Sequence, residues 1–257
     1  MILFFLRELL YAILLIFSSR RPDGAARILM YHSVGGSGPK AVSVKQFRLQ
    51  MAYLKKYFRI TPLLSLFDAG QDTTLASRVC ITFDDGFADT YVHAAPILDE
   101  LGIPATFFIT AGYVGRDHPV FYGTEPCMSA GQLTDLVRRG HELGGHTVTH
   151  PKLAGLPEES VRAELSGSKA FLKIFIQSEA PAFAYPKGSY NSMVKKLVCE
   201  AGFACAVTVR EGSCRFTDDR FALPRIAVDA GTGPMQFRGK LSSALYSYER
   251  IKKILCR

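Results

Sequence analysis

The chain has 257 residues, 48% of them apolar, and carries a net charge of +8 with a pI near 9.2. That length and apolar content exclude a disordered or fibrous chain and suit one large domain with a sizeable core. The basic balance points to an anionic partner such as lipid headgroups or a phosphate-bearing lipid carrier, while the scatter of Lys and Arg, without an aromatic-interleaved basic stripe, argues against nucleic acid.

Residues 2–17, ILFFLRELLYAILLIF, are apolar except for Arg7 and Glu8, and Arg20 and Arg21 follow. A spanning helix needs about 20 apolar residues, so this run is expected to be a membrane anchor or an interfacial helix (1–21) with the charged pair on a polar face. A cleaved signal and a buried helix rank behind it. The two arginines would place the chain on the cytoplasmic side of the membrane.

Pro22 to Ala26 reads as a linker, and RILMYHSV (27–34) as a strand before a GGSGP loop. Ser43 caps a helix with apolar Val44, Phe47, Met51 and Leu54 at helical spacing. RVCITF (78–83) is the next strand. A helix over 90–101 stops at Gly102; PATFFIT is a strand, and Ser129 opens a helix through Val137. HELGG is a short strand and 157–176 a long helix with Glu158 and Glu159 at its positive end. AFAYP is strand-like, a helix ends at Gly202, FACAVTV is a strand, and FALPRIAV the last one. Strands alternating with helices imply parallel pairing with right-handed crossovers, in a barrel or an open doubly wound sheet. Either places chemistry on the loops after the strands. Among the six cysteines there is no C-x-x-C pair, so a cysteine zinc site is not expected. Cys80, Cys199 and Cys205 read as small core residues, and the chain suits a reducing compartment.

Two constellations fall at strand ends. CITFDDG (80–86) ends a strand in adjacent carboxylates, Asp84 and Asp85; an Asp-Gly turn explains one acid but does not require the other. In GHELGGHTVTH, His146 and His150 are four apart, and one helical turn would bring both rings to one side. Imidazoles with a carboxylate make an open three-ligand site for zinc or a similar dication. His141 reads as structural, and neither His93 nor His118 has a partner identifiable from the sequence.

Together TFDDG, HTVTH, FAYPKGSY and FALPRIAV resemble the motifs of the polysaccharide deacetylases with a NodB homology domain, carbohydrate esterase family 4, over residues 26–240, leaving 241–257 as a helical tail. The resemblance implies a distorted (β/α)7–8 barrel and a divalent metal, Zn2+ foremost with Co2+, Ni2+ or Fe2+ as alternatives, held by Asp85, His146 and His150. It implies Asp84 as the general base acting on metal-bound water, whose pKa falls from about 16 to about 7. The backbone N–H of Lys187 becomes an oxyanion donor worth about 3 kcal/mol, and Tyr31, Tyr185, Pro186 and Tyr190 become substrate contacts. Two features depart from the family: Ala184 stands where many members carry an Arg that orients the base, and no His follows His150 to supply an acid. A poly-N-acetylglucosamine deacetylase branch, with a YH strand end and a YP-x-G motif, resembles the chain better and implies His32 as the acid. The expected reaction is removal of an N-acetyl or formyl group from an amino sugar in a polysaccharide or lipid-linked glycan at a membrane surface. An O-acetyl esterase and a non-catalytic glycan-binding relative are the alternatives.

Overall fold

Seven short runs, most of them apolar at nearly every position, form the strands of a closed parallel barrel: β1 (Arg27–Tyr31), β2 (Arg78–Phe83), β3 (Thr106–Ile109), β4 (Glu142–Gly145), β5 (Ala182–Ala184), β6 (Cys205–Glu211) and β7 (Leu223–Ala227). Each pairs with the next in the chain, and β7 pairs back onto β1, Leu29 lying opposite Ile226. Near-continuous apolar runs are what strands need when both faces are covered. The computed structural model describes residues 2–18, 24–67, 78–120, 123–176, 181–215 and 217–255. Arg20, Arg21, the start of the Pro22–Ala26 linker and Cys256 lie outside them.

Strand alternation sorts the core into an inside and an outside. Ile28, Cys80, Phe108, Ala182, Ala184, Cys205, Val207 and Leu223 share one buried cluster, the barrel interior. Leu29, Tyr31, Ile81, Phe83 and Phe107 pack outward with Phe47 and Met51 of the Val44–Tyr57 helix. Phe183 and Tyr185 pack with Val194 and Leu197 of the Ser192–Glu200 helix. Small interior side chains leave room for one long one: Arg225 of β7 is fully buried, its guanidinium 5.7 Å from the Phe108 ring centre.

The structure changes several expectations. The strand expected over 27–34 stops at Tyr31; Ser33–Val34 pairs separately with Ala41–Val42, leaving His32 at the point where the chain quits the barrel. The helix expected over 90–101 begins with a π-turn, Thr90–Ala94. Pro96, without an N–H, cannot continue a regular ladder there. The long helix runs only over Glu158–Leu172. Cys199 is exposed rather than part of the core, whereas Cys80 and Cys205 are buried. An antiparallel hairpin, Asp117–Val120 with Gly123–Pro126, had no counterpart in the periodicity.

The N-terminal helix, Ile2–Ile16, lies against the Pro234–Lys240 and Ala244–Leu255 helices. Among the described residues, no helix is long and apolar enough to cross a membrane.

Candidate active site

The site begins with the alternation of β2. Thr82 points into the barrel, Phe83 out, and Asp84 in again. Asp85 then takes a left-handed conformation, φ +72°, followed by Gly86 at +77°. Asp tolerates this region better than most residues, and the reversal brings the second carboxylate to the rim beside the first. Both acids are buried, at 3% and 7% exposed.

Asp84 is gripped by Arg225 in a two-pronged pair, Nη1 to Oδ1 and Nη2 to Oδ2 at 2.7 Å each. Arg225 is fixed in turn by donating from Nε to the Thr208 carbonyl (2.8 Å) and from Nη1 to the Thr82 hydroxyl (3.1 Å). Burial works to raise the Asp84 pKa, but the charge and hydrogen bonds of Arg225 hold it below the ordinary carboxylate value. Asp84 is therefore an oriented, ionised carboxylate.

Asp85 faces two imidazoles. Its Oδ1 lies 3.3 Å from His146 Nε2 and 3.2 Å from His150 Nε2. Burial again works to raise the pKa, and the His146 and His150 hydrogen bonds outweigh it, leaving the carboxyl well below the usual range. His146 follows β4, and its Nδ1 lies 2.7 Å from the Ala184 carbonyl. A carbonyl only accepts, so Nδ1 carries a proton, and in the neutral ring the lone pair of Nε2 faces the carboxylate. Two lone pairs at that distance repel unless a proton or a metal cation lies between them. The donor set thus fits a dication: a carboxylate and two imidazoles converge, with one ring already oriented by a backbone acceptor.

The expected helical turn at 146–150 is absent. Thr147 and His150 are left-handed, at φ +65° and +60°. The turn is held by the His150 N–H on the Thr147 hydroxyl (3.0 Å), and by the Val148 and Thr149 N–H groups on the Glu164 carboxylate (2.7 and 3.0 Å). The ring centres of His146 and His150 end 4.9 Å apart.

Asp84, Asp85, His146, His150, His32 and Lys187 line one cleft of about 350 Å3 at the carboxyl end of the barrel. Lys187 sits on its wall in the Pro186–Gly188 turn with φ +56°. His32 is half-buried, and Lys40 Nζ donates to its Nε2 at 2.9 Å. Burial pushes the His32 pKa down to about 4. The remaining expected contacts lie elsewhere. Tyr31 and Tyr185 are fully buried, their hydroxyls donating to Gln50 Oε1 (3.0 Å) and the Phe221 carbonyl (2.9 Å). They and the buried Pro186 brace the rim from behind, with Tyr190 stacked on Tyr185. The alternation that points Asp84 inward turns Tyr31 outward.

Three site residues escaped the sequence reading. Arg225 occupies the missing arginine's place beside Asp84 and comes from FALPRIAV, a segment that was visible, although nothing in it showed that its Arg crosses the barrel. Lys40 stands in a loop without a motif. His118, which had no identifiable partner, lies with its ring centre 4.9 Å from that of His150.

Fold and rim together define a β/α-barrel hydrolase, and the comparisons give its kind. The sequence pattern of the polysaccharide deacetylase family matches residues 71–206. The chain belongs to that family of carbohydrate-acting hydrolases. It is 29% identical to YxkH of Bacillus subtilis (strain 168) over 84% of this chain and 76% of that one. It is 26% identical to the poly-β-1,6-N-acetyl-D-glucosamine N-deacetylase of Staphylococcus aureus (strain MSSA476) over 73% and 68%. Among solved structures, IcaB from Ammonifex degensii superposes with a TM-score of 0.75 at 28% identity, over 84% of this chain and 97% of that one. The Streptococcus pyogenes deacetylase PplD, 24% identical with the same TM-score over 84% and 98%, shares the fold.

Proposed function

We propose that the protein hydrolyses the N-acetyl group of amino sugars in a glycan, with a divalent cation, Zn2+ foremost, held by Asp85, His146 and His150. The observation that carries this reading is the convergence of both imidazole Nε2 atoms on one Asp85 oxygen, beside an Asp84 clamped by Arg225. When bound, such a cation polarises the amide carbonyl and acidifies the attacking water. Asp84, ionised and oriented, takes the proton from that water as general base. The Lys187 N–H, on the cleft wall, donates to the oxygen of the tetrahedral intermediate. His32 delivers a proton to the leaving amine. Its Nε2 accepts from Lys40 at rest, so it acts only once protonated, and the proton that Asp84 takes from the water balances the one the amine gains.

The substrate is proposed to be a polymer like the poly-β-1,6-N-acetyl-D-glucosamine of the staphylococcal relative's name, or a lipid-linked amino sugar, met at a membrane surface. Support for the surface is the inverted polarity of the N-terminal helix. Its polar residues face the protein: Arg7 donates to the Gly231 carbonyl (3.1 Å), Glu8 accepts from the Met235 and Gln236 N–H groups (2.9 Å each), and buried Tyr11 stacks on Tyr248. Phe5, Leu6, Leu9, Ile13, Ile16 and Phe17 are exposed. An outward apolar face of this kind lies in a bilayer interface.

The test is acetate release from β-1,6- and β-1,4-linked N-acetylglucosamine oligomers and from a lipid-linked N-acetyl amino sugar. The reading expects release from at least one, abolished by chelation, restored by Zn2+ or Co2+, and lost in Asp84→Asn. Glycan binding without release would make the protein a non-catalytic relative.

A further inference from the structure

A third imidazole faces the same acid. His118 lies on the Asp117–Val120 strand of the hairpin, which is stitched over the site by the bridge between Phe87 and Cys127 and by the Met128 N–H on the Gly86 carbonyl (2.9 Å). Its residue is 2% exposed. Its Nδ1 donates to the Pro119 carbonyl at 2.8 Å, and Nε2 is buried with no hydrogen-bond partner among the described residues. A ring nitrogen of His118, one of His150 and a carboxylate oxygen of Asp85 all lie within 4.8 Å of one another.

Leaving a buried acceptor unsatisfied is unfavourable, and the aromatic rings of Tyr113 and Phe87 beside His118 do not require an imidazole for packing. The Pro119 bond fixes the tautomer that leaves Nε2 unprotonated, the form in which a histidine binds metal. We propose that His118 is a further protein donor, through Nε2, to the dication at Asp85, His146 and His150, tying the hairpin to the metal. This rests on the metal-site reading above. Three imidazoles and one carboxylate favour Zn2+, Co2+ or Ni2+ over Mg2+ or Ca2+.

The test uses the full chain, labelled with 15N at histidine, stripped of metal and titrated with Zn2+ while long-range 1H–15N spectra report each ring nitrogen. Three imidazoles should change to the metal-bound shift. His118→Gln should remove one of these signals and make zinc at least about tenfold easier to extract with a competing chelator. The proposal is overturned if two imidazoles shift while the His118 signal, identified by its absence in His118→Gln, stays put, or if the variant holds zinc as tightly as the parent. If no imidazole shifts, the metal reading itself falls, and this proposal with it. Where the variant does not fold, the count in the parent spectrum decides: three metal-shifted imidazoles support the proposal and two overturn it.

Discussion

The adjacent acids at the end of β2 share a strand end but not an environment. Asp84 continues the inward alternation and meets a buried guanidinium; Asp85 breaks it with a left-handed backbone and meets imidazoles. In the function proposed above, the first acid serves as the oriented base and the second as an ion holder. Removing the Asp84 carboxylate in Asp84→Asn should lower turnover about 10²- to 10⁴-fold with metal content unchanged. Arg225→Met should do something different. It leaves Asp84 buried and unpaired, which costs about 3–5 kcal/mol, readable by denaturant unfolding. Because Arg225 lowers the Asp84 pKa, its loss raises that pKa, so the acidic limb of the kcat/KM profile should move to higher pH. An unmoved limb would separate Asp84 from catalysis. His32 supplies a second pH dependence. Its folded pKa of about 4 lies below the ordinary 6.5, so the unfolded chain binds more protons between those values. Its contribution is complete above 6.5 and lost as pH falls toward 4. The Tm of metal-stripped protein should fall over that window, and fall less in His32→Gln.

At the scale of elements, the rim depends on parts that hold the turns in place. Glu164 of the Glu158–Leu172 helix ties down the loop between the two histidines, and Gly144 of β4 lets Phe108 fill the barrel. A Cβ at Gly144 would lie 2.5 Å from Phe108 Cδ1 and 2.9 Å from the Ala182 carbonyl oxygen. Gly144→Ala should therefore destabilise the protein by about 1–3 kcal/mol and, by shifting β4 against β5, weaken the Ala184–His146 bond; zinc affinity and unfolding midpoint should drop together. Much of this level was legible beforehand. Six of the seven barrel strands were visible as apolar runs, because burial on both faces leaves a plain signature; Glu142–Gly145 was read from HELGG, which is not one, and four of the helices from caps or spacing. The two-His turn was not, since its left-handed residues are Thr147 and His150 rather than glycines. The hairpin bearing His118 was missed because its residues, DHPV and GTEP, carry no alternation of apolar and polar positions. Arg225 was hidden for a further reason: a pairing across the barrel, between β2 and β7, leaves no mark on local spacing.

At the scale of the whole molecule, the N-terminal helix and the cleft are joined through one loop. Asp229 lines the cleft, the Gly231 carbonyl accepts from Arg7, and the Thr232 carbonyl accepts from Gln46 Nε2. A helix seated in a membrane surface by Phe5, Leu6, Leu9, Ile13 and Phe17 would hold that side of the barrel mouth near the lipid headgroups. Charged replacements at Leu6, Leu9 and Ile13 together should abolish co-sedimentation with anionic phospholipid vesicles while acetate release from soluble oligomers persists; retained vesicle binding would contradict the seating. The +8 charge predicts that this binding weakens as salt is raised. The chemistry proposed for the cleft, however, rests on one ion shared by Asp85, His146 and His150. Calorimetric titration of Zn2+ into chelator-stripped protein tests that most directly. It should find one tight site per chain in the parent and in Asp84→Asn, and binding weakened at least about tenfold in Asp85→Ala and His146→Ala. No saturable binding in the parent, or undiminished binding in Asp85→Ala, would contradict it.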